Sequence, residues 1–468
     1  MVKFNNNIVQ FGFGAVGKSF FEKVSREICF DENKYFVISR DKSEFDAFIN
    51  MGGISTNFIV CEIDSSNFSK VFDTYLSSGD LLLDFADTVG TLDILNWCIS
   101  KEIMYLNTGE ADWPENWYSI LNENIKKMQI KKIAQVKYPI VLQHGNNPGI
   151  VSHFVKAGIE YIINTQIKKN DKLKYKQASS LIKENKFNQA AFLIGLDTIH
   201  VNDIDLQKTN IPFQQDTLLN TWCIDSFFFE MLSEATLNYG TNFDINSLDN
   251  IKVLDKKNRF IELSTIAANT NFHTYYPKGG FDAFLVPHEE TITIANSLEV
   301  RENDDTIYKP TVMFLYSPCQ TAKKYLEHSR VGNYDMNIDN IIRGYKYPKN
   351  SKILYKEDIS SGTEYVGVLL VGKDFKPVWV GNRIEPKFLY KKMSRNTHTS
   401  YWQTPTITPV AMSALSATVW MIKNAHRSGI YFPDDIAEHK EILKIAEKYI
   451  SKTIFKTLNN LKTEDINF

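Results

Sequence analysis

Asn7-Ile8-Val9-Gln10-Phe11-Gly12-Phe13-Gly14-Ala15-Val16-Gly17 is the stretch whose reading decides the fold. Ile8 to Phe11 form an apolar run that predicts a buried strand, and three glycines follow at the spacing G-x-G-x-x-G. Each glycine answers a separate demand. Gly12 permits the tight turn out of the strand, Gly14 lets backbone approach a pyrophosphate, and Gly17 lets the next helix pack closely on the sheet. The helix N-terminus supplies N–H donors and positive potential for an anion. Phe20, Phe21 and Val24 continue a helical apolar face, and Tyr35-Phe36-Val37-Ile38 supplies a second strand. In that setting Gly12, Phe13, Gly14, Ala15, Val16 and Gly17 read as a dinucleotide-binding turn rather than a bare glycine-rich loop.

The alternation continues outward from this motif. Strands are expected near 7–12, 35–39, 57–61, 81–85 and 103–107, and helices at 16–28, 43–50, 67–77 and 91–100. Leu81-Leu82-Leu83-Asp84-Phe85 is a short, uninterrupted apolar run, the pattern of a parallel strand buried on both faces. Repeated strand–helix units predict an α/β, Rossmann-type domain over 1–150 with right-handed crossovers. Ligands of such sheets lie beyond the carboxyl ends of the strands. Asp84, Asp87, Asn107 and Glu110 are therefore expected to face the cleft, with Asp87, Thr88, Asn107 and Thr108 among the cofactor's contacts. At the end of the second strand, Ser39-Arg40-Asp41 stands in place of a simple terminal carboxylate. Asp41 is expected to meet the adenosine ribose, and Arg40 either the adenine face or a 2′-phosphate. Local chemistry thus leaves NAD and NADP open, and NAD is the favoured reading.

A further apolar strand, Pro139 to Leu142, enters the loop Gln143-His144-Gly145-Asn146-Asn147-Pro148-Gly149, followed by a helix from Ile150 through Tyr161. The lysine-rich segment 167–190 reads as an exposed helix with its connection. Runs at 191–199, 260–263, 284–286, 291–294, 312–316 and 365–370 predict a second α+β domain over 151–400, built on a mixed or largely antiparallel sheet. The apolar helix 410–422, closed by Gly429 and Pro433, is expected to return to the first domain as segment 401–430. Residues 431–468 are expected as a C-terminal helical region of the second.

A chain of 468 residues is too long for one ordinary core. With 43% hydrophobic and 23% charged residues it reads as a globular enzyme. A formal net charge of -2 excludes global attraction to nucleic acid or an acidic membrane. Lysine pairs such as Lys126-Lys127 and Lys131-Lys132 read as solvated helix faces. Cys29, Cys61, Cys98, Cys223 and Cys319 are scattered, with no C-x-x-C pair, which argues against a disulfide framework or a zinc knot. No apolar stretch approaches a membrane span and no secretory leader is evident, so a cytoplasmic location is expected.

Several longer motifs are more specific than the glycine turn. They are His144-Gly145-Asn146-Asn147-Pro148-Gly149-Ile150-Val151-Ser152-His153, Asn220-Thr221-Trp222-Cys223-Ile224-Asp225, Phe284-Leu285-Val286-Pro287-His288 and Tyr308-Lys309-Pro310-Thr311. Together with the glycine turn they make the chain resemble the bacterial homospermidine synthases, within the saccharopine-dehydrogenase-like group, over nearly its whole length. The resemblance implies conversion of two putrescine molecules into homospermidine and ammonia, with NAD as both oxidant and reductant within one turnover. It also implies a homodimer, and spermidine as an aminobutyl donor in related enzymes.

Trp222 resembles the family's cation-binding tryptophan, whose ring face attracts a substrate ammonium by about 0.5–2 kcal/mol. Glu230, eight positions on, is expected two turns along the same helical face and corresponds to a substrate-contacting carboxylate. Asp203 occupies another such position, although its side chain is shorter than the family's glutamate. His288 is expected to shuttle a proton or bind an amine nitrogen, although a histidine can equally anchor a loop, and Glu289-Glu290 beside it strengthen a polar-site reading. Asn147 is expected to orient an amine or the nicotinamide, and Glu110 to neutralise substrate charge near the cofactor. Outside that resemblance, an isolated tryptophan is more often packing and an isolated carboxylate more often a solvated surface group. No metal is expected, because a nicotinamide accepts the electron pair directly. Lys309 reads as structural or charge-balancing rather than as a Schiff-base lysine. The competing activities are an NAD(P)-dependent reductive aminase of saccharopine or opine type, which needs cationic clamps for carboxylates, and a nonenzymatic NAD-sensing protein.

Overall fold

The computed structural model describes residues 1–86, 89–109, 111–113, 130–132, 134–248, 251–330, 345–393, 401–461 and 466. Asp87, Thr88 and Glu110 fall outside them. The chain divides into two compact units, Met1–Ile150 with Ile407–Tyr449, and Val151–Thr406 with Ile450–Phe468.

The first unit is a seven-stranded parallel sheet. Its order is Gly429–Tyr431, Pro139–Val141, Met104–Asn107, Leu81–Asp84, Ile8–Phe11, Tyr35–Ser39 and Phe58–Val60. The glycine-turn strand lies inside the sheet, so Ile8, Val9 and Phe11 are buried, as are Leu81, Leu82 and Leu83 beside them. Short apolar runs suit that position because both faces are covered. The helix Ala15–Glu27 follows the turn. The helix Ile407–Lys423 belongs to the same unit, with almost its whole length buried.

Two expectations near the C-terminus need correction. The segment expected as one helical region of the second domain, 431–468, divides between the units. Pro433–Asp435 and the helix His439–Ala446 belong to the first, and Ile454–Thr457 is a strand of the second unit's sheet. Gly429, read as closing the preceding helix, instead opens a three-residue parallel edge strand, with φ of +136°. A strand that short carries no periodicity by which to recognise it.

The second unit is built on a ten-stranded sheet. Its main path runs Ile251–Asp255, Phe260–Ile266, Glu234–Asn238, Thr311–Ser317, Leu196–Asp205, Glu364–Gly372, Val378–Ile384 and Ile454–Thr457, and Gly279–Leu285 joins Thr311–Ser317 as a branch, with Phe272–Tyr276 paired to its outer side. Thr311–Ser317 and Leu196–Asp205 run parallel, and their other partners are antiparallel. This is the mixed, largely antiparallel sheet expected from the sequence. The register decides where its chemistry lies. Asp203 is paired with Tyr316 on one side and Val366 on the other, while Asp205 is paired with Glu364. Directly opposed residues in a sheet project to the same face, and residues two apart on a strand share it. Asp203, Asp205, Phe314, Tyr316 and Glu364 therefore share one face. His200 and Asn202 turn to the other, where His200 Nδ1 lies 2.9 Å from Thr274 Oγ1. Burial pushes the His200 imidazole down to about 4, so it is neutral there.

The glycine turn makes a stability prediction. A Cβ on Gly17 would stand 2.4 Å from the Gly12 carbonyl oxygen and 2.7 Å from Gln10 Nε2. Gly17→Ala is expected to destabilise the fold by about 1–3 kcal/mol, as overpacking does. A thermal melt of the purified protein checks this, and an unchanged Tm would mean that the turn yields without strain.

Candidate active site

The first unit presents a nucleotide-binding turn. Gly12 has φ of +89°, and a Cβ there would meet the Phe85 backbone at 2.8 Å. A Cβ on Gly14, by contrast, would have nothing within 4 Å. Gly12 and Gly17 are thus fixed by close packing, while Gly14 borders open space at the helix N-terminus, where an anion is stabilised. The Phe13 side chain is not available to a ligand. It is buried edge-on against Phe21, Phe48 and Phe58, so this residue offers backbone alone. Ala15 and Val16 are half-buried at the start of the helix.

At the end of the second strand, Asp41 is exposed, and its carboxylate accepts a 2.8 Å hydrogen bond from the Ser43 backbone N–H, capping the short helix Lys42–Glu44. Arg40 beside it is exposed. The acid packed against Ser39 is Glu44, which the sequence reading did not name. It accepts from Ser39 Oγ at 3.1 Å and pairs with Lys18 Nζ at 2.9 Å. Burial raises the Glu44 carboxyl above its ordinary range, and Lys18 opposes that rise.

Asn107 acts on the neighbouring loops. Its Oδ1 accepts from the Gln143 N–H at 2.7 Å, and its Nδ2 donates to the Gly109 carbonyl at 2.7 Å. Together with the His144 N–H bonded to the Asn107 carbonyl, these contacts hold the two loops in register. Thr108 and Asn147 are half-buried in those loops. His144 is buried and bonded to Ser413, and burial pushes it down to about 4.

The second unit gathers the other candidates. Trp222 stands in the turn between the strand Thr217–Asn220 and the helix Ile224–Leu232. It is therefore not on a helical face shared with Glu230, contrary to the eight-residue spacing argument: Cys223 caps the helix, and Glu230 lies in its last turn. What brings Trp222 to the sheet is a hydrogen bond from its Nε1 to the Tyr316 hydroxyl, 2.9 Å, with Phe227 edge-on at 6.1 Å. The ring remains half-buried, leaving part of it open to a ligand.

His288 follows the strand Gly279–Leu285 and precedes the helix Glu290–Ser297. Its ring lies 4.0 Å from that of Phe314, at 30°. Its Nδ1 makes a short hydrogen bond with the fully buried Glu290 and lies 3.5 Å from Glu289. Burial works against the imidazolium, but Glu290, then Glu289 and Glu230, outweigh it and hold the group up at about 10. Glu230 is pushed up to about 8, first by loss of water and then by Glu289, Glu290 and Asp203, with His288 in opposition. At neutral pH the cluster thus carries a protonated histidine and a Glu230 that holds its proton. The ligand atoms of His288, Glu289 and Glu290 fall within 4.8 Å of one another, a span a metal could occupy. The bond from Nδ1 to Glu290 makes the group an imidazolium–carboxylate pair.

Beside this cluster is an acid group that the sequence reading passed over. Asp205 accepts from Thr221 Oγ1 at 2.6 Å, from the Gln207 N–H at 2.8 Å and from Gln207 Nε2 at 3.0 Å. Glu364 is hydrogen-bonded to Asp203 and Thr406, and burial followed by Asp203 and Asp205 raises its carboxyl strongly. Lys309 lies elsewhere in the unit, almost fully buried and donating to the Asn258 carbonyl and the Asn296 side chain. Those bonds fit the structural role expected of it.

Residues 8–138 match the family model of the saccharopine dehydrogenase NADP binding domain. The chain is 23% identical over 459 residues to a homospermidine synthase of Mesorhizobium japonicum, covering 95% of this chain and 88% of that protein. It is 24% identical over 465 residues to one of Blastochloris viridis, covering 96% and 90%. Among solved structures, the homospermidine synthase of Legionella pneumophila in complex with NAD superimposes with a TM-score of 0.80 at 23% identity, covering 98% of this chain and 94% of that one. The saccharopine dehydrogenase (L-Glu forming) of Saccharomyces cerevisiae gives 0.50 at 10% identity, covering 97% and 100%. The nucleotide turn lies inside the segment that matches the saccharopine dehydrogenase NADP binding domain, and the fold is that of these solved structures. Along nearly its whole length the chain is similar to these homospermidine synthases.

The histidine pair carries a pH prediction. A folded-state value above the ordinary histidine range means that the stabilisation is complete below about pH 6.5. It is lost as the pH rises through about 10. Glu290→Gln removes the strongest supporting charge, so His288 is expected to titrate lower by about one unit or more. An NMR titration of labelled histidine reads this directly. An unmoved His288 would show that Glu290 does not hold the proton in place.

Proposed function

We propose that this chain is an NAD-dependent homospermidine synthase. It joins two putrescine molecules into homospermidine with loss of ammonia, and accepts spermidine as an alternative aminobutyl donor. The observation that carries this reading is the convergence of Trp222, Glu230, Asp203 and His288 on one acidic and aromatic face. Such a face suits an aliphatic chain bearing ammonium groups. Arg259, by contrast, lies against Tyr239, Arg301 pairs with Glu299 and Arg383 with Glu385. These arginines are turned to other partners, which disfavours the dicarboxylate clamp of a saccharopine or opine dehydrogenase.

The residues of the nucleotide turn fit NAD, with Gly12 and Gly17 shaping the turn and Gly14 leaving room for the pyrophosphate. The bound nicotinamide supplies hydride acceptance from the amine-bearing carbon and hydride return to the new imine. The protein's own part is proton control. Putrescine is dicationic near neutral pH, yet the reacting nitrogen must lose a proton before its carbon can give up hydride. Trp222 holds the cationic chain through its ring face. An ammonium docking beside Glu230 favours the ionised carboxylate and draws its pKa down from about 8. Glu230 is then a base at the substrate nitrogen, with His288 as the proton donor when ammonia leaves. Asn147 orients the substrate amine or the nicotinamide amide, and Glu110 adds negative charge near the cofactor. The reaction as a whole is redox-neutral. We further propose that the protein works as a cytoplasmic homodimer. Light scattering is expected to give twice the mass of one chain.

Incubation with putrescine and a catalytic amount of NAD is expected to yield homospermidine and ammonia without stoichiometric NADH. Net NADH formation that depends on an amino acid would reject the reading, and bound NAD with unchanged labelled diamine would mark a sensing protein. Trp222→Ala is expected to lower kcat/KM for putrescine by roughly 3- to 30-fold, the range a cation–π contact supplies, with NAD binding unchanged. Equal turnover in the variant would remove Trp222 from the site.

A further inference from the structure

On the same sheet face, one strand further from Tyr316, lies an acid seat to which the proposed reaction assigns no role. Asp203 and Asp205 alternate along the strand Leu196–Asp205, and Glu364 stands opposite Asp205 on the neighbouring strand. All three are buried, and Glu364 is 1% exposed. Thr221 and Gln207 donate to Asp205, and Thr406 to Glu364. These donors leave acceptors over. Glu364 Oε2 and Gln207 Oε1 are buried with no hydrogen-bond partner among the described residues, although the amide nitrogen of Gln207 is already on Asp205. A buried acceptor without a donor is costly, and two such acceptors beside a group of buried acids call for a ligand that brings donors and positive charge. Burial, hydroxyl and amide hydrogen bonds, and other carboxylates dominate the surroundings of Asp205 and Glu364, with no cation prominent among them. An alkylammonium brings three N–H donors and one positive charge. The seat also adjoins the proposed amine site, because Asp203 is felt both by Glu230 and by Glu364.

We propose that Glu364, with Asp205, seats the terminal ammonium of the diamine and that the reach of Glu364 sets the accepted chain length. The inference rests on the diamine reading above. Before substrate arrives, Glu364 and Asp203 share a proton. An incoming ammonium replaces that proton as their common partner, and one proton passes to solvent for each ammonium seated. Asp205, held by Thr221 and Gln207, keeps its orientation throughout.

The test compares the NAD-loaded enzyme with its Glu364→Asp and Glu364→Gln variants. Putrescine is set against 1,5-diaminopentane as substrate. Glu364→Asp draws the carboxylate back by one methylene, so the longer diamine is expected to gain on putrescine in kcat/KM by about 10-fold, near the value of one methylene in a discriminating site. Glu364→Gln keeps a donor toward Asp203 but has no proton to release. Its KM for putrescine is expected to rise by on the order of 30-fold, as when one partner of a buried charge pair is removed. Calorimetry in two buffers of different ionisation enthalpy is expected to show one proton fewer released on putrescine binding than in wild type. NAD affinity and NMR-monitored titration of His288 are expected to stay as they are, which a general collapse of the site would not allow. An unchanged chain-length preference in Glu364→Asp overturns the proposal, and so does unchanged proton release in a folded Glu364→Gln. If Glu364→Gln does not fold, the Glu364→Asp preference decides alone. A wild-type enzyme that neither binds nor turns over diamines overturns the parent reading and this one together. Diamine turnover with an indifferent Glu364 overturns this one alone.

Discussion

Carboxylates buried side by side lose their hydration and repel one another, and the second unit concentrates that cost on one face of its sheet. Asp203, Asp205 and Glu364 come from two adjacent strands, Glu230 comes from the helix Ile224–Leu232, and Glu289 and Glu290 come from the start of the helix Glu290–Ser297, and Glu230 feels the charge of Asp203. Within this group His288 is the cation, and it is held mainly by Glu290. Burial of so many acids is tolerated only when protons are retained, hydrogen bonds supplied, or a cation brought in. The fold uses the first two already. Glu230 and Glu364 are pushed toward their neutral forms, and Thr221 and Gln207 donate to Asp205. On the proposed function a cationic substrate supplies the third, taking over the place of stored protons. The same electrostatic arrangement can therefore bind an ammonium and provide bases for its deprotonation.

That arrangement requires rigid support, and the support comes from ordinary secondary structure. The parallel pairing of Thr311–Ser317 with Leu196–Asp205 sets Tyr316 beside Asp203, and the Tyr316 hydroxyl fixes the Trp222 indole by its N–H. Burial and the nearby acids keep the Tyr316 phenol protonated far above neutrality, so its hydroxyl can serve as a fixed polar anchor rather than as a base. Phe314, two residues earlier on the same face, carries the His288 ring. One strand thus positions the aromatic and the basic elements of the site. A slip of one residue in its register would turn both supports to the opposite face.

Much of the first unit was legible in the sequence because its signals are local. The glycine turn, the short apolar strands and the helix after each strand all lie within windows of about ten residues. The acidic residue at the second strand's end was harder to read. Asp41 stood where a ribose ligand is expected, but its side chain caps Lys42–Glu44, and Glu44 makes the contacts to Ser39 and Lys18. In the second unit the motifs pointed to Trp222, Glu230, Asp203 and His288, and the structure brings all four to one face. The inference of a shared helical face for Trp222 and Glu230 failed because a helix can begin between two motif residues. Asp205 was available to a reader who asked what shares a face with Asp203 at period two. Glu364 was not. It meets Asp205 through strand pairing across nearly 160 residues of chain, and no spacing rule along the sequence reaches that far.

The two units also differ in how their sites tolerate change. In the nucleotide turn, Gly12 and Gly17 are constrained by backbone atoms at under 3 Å from where a side chain would start, whereas Gly14 borders open space. Function there depends on atoms being absent. In the acid face it depends on charge being present at a defined reach, since a carboxylate one methylene shorter still ionises but no longer reaches the same point. Asp203 illustrates this. Its side chain is short, and Glu364 is hydrogen-bonded to it from the next strand. On the proposal above, a seat assembled from two strands in this way changes its substrate length by substitution on either one without altering the sheet that carries it.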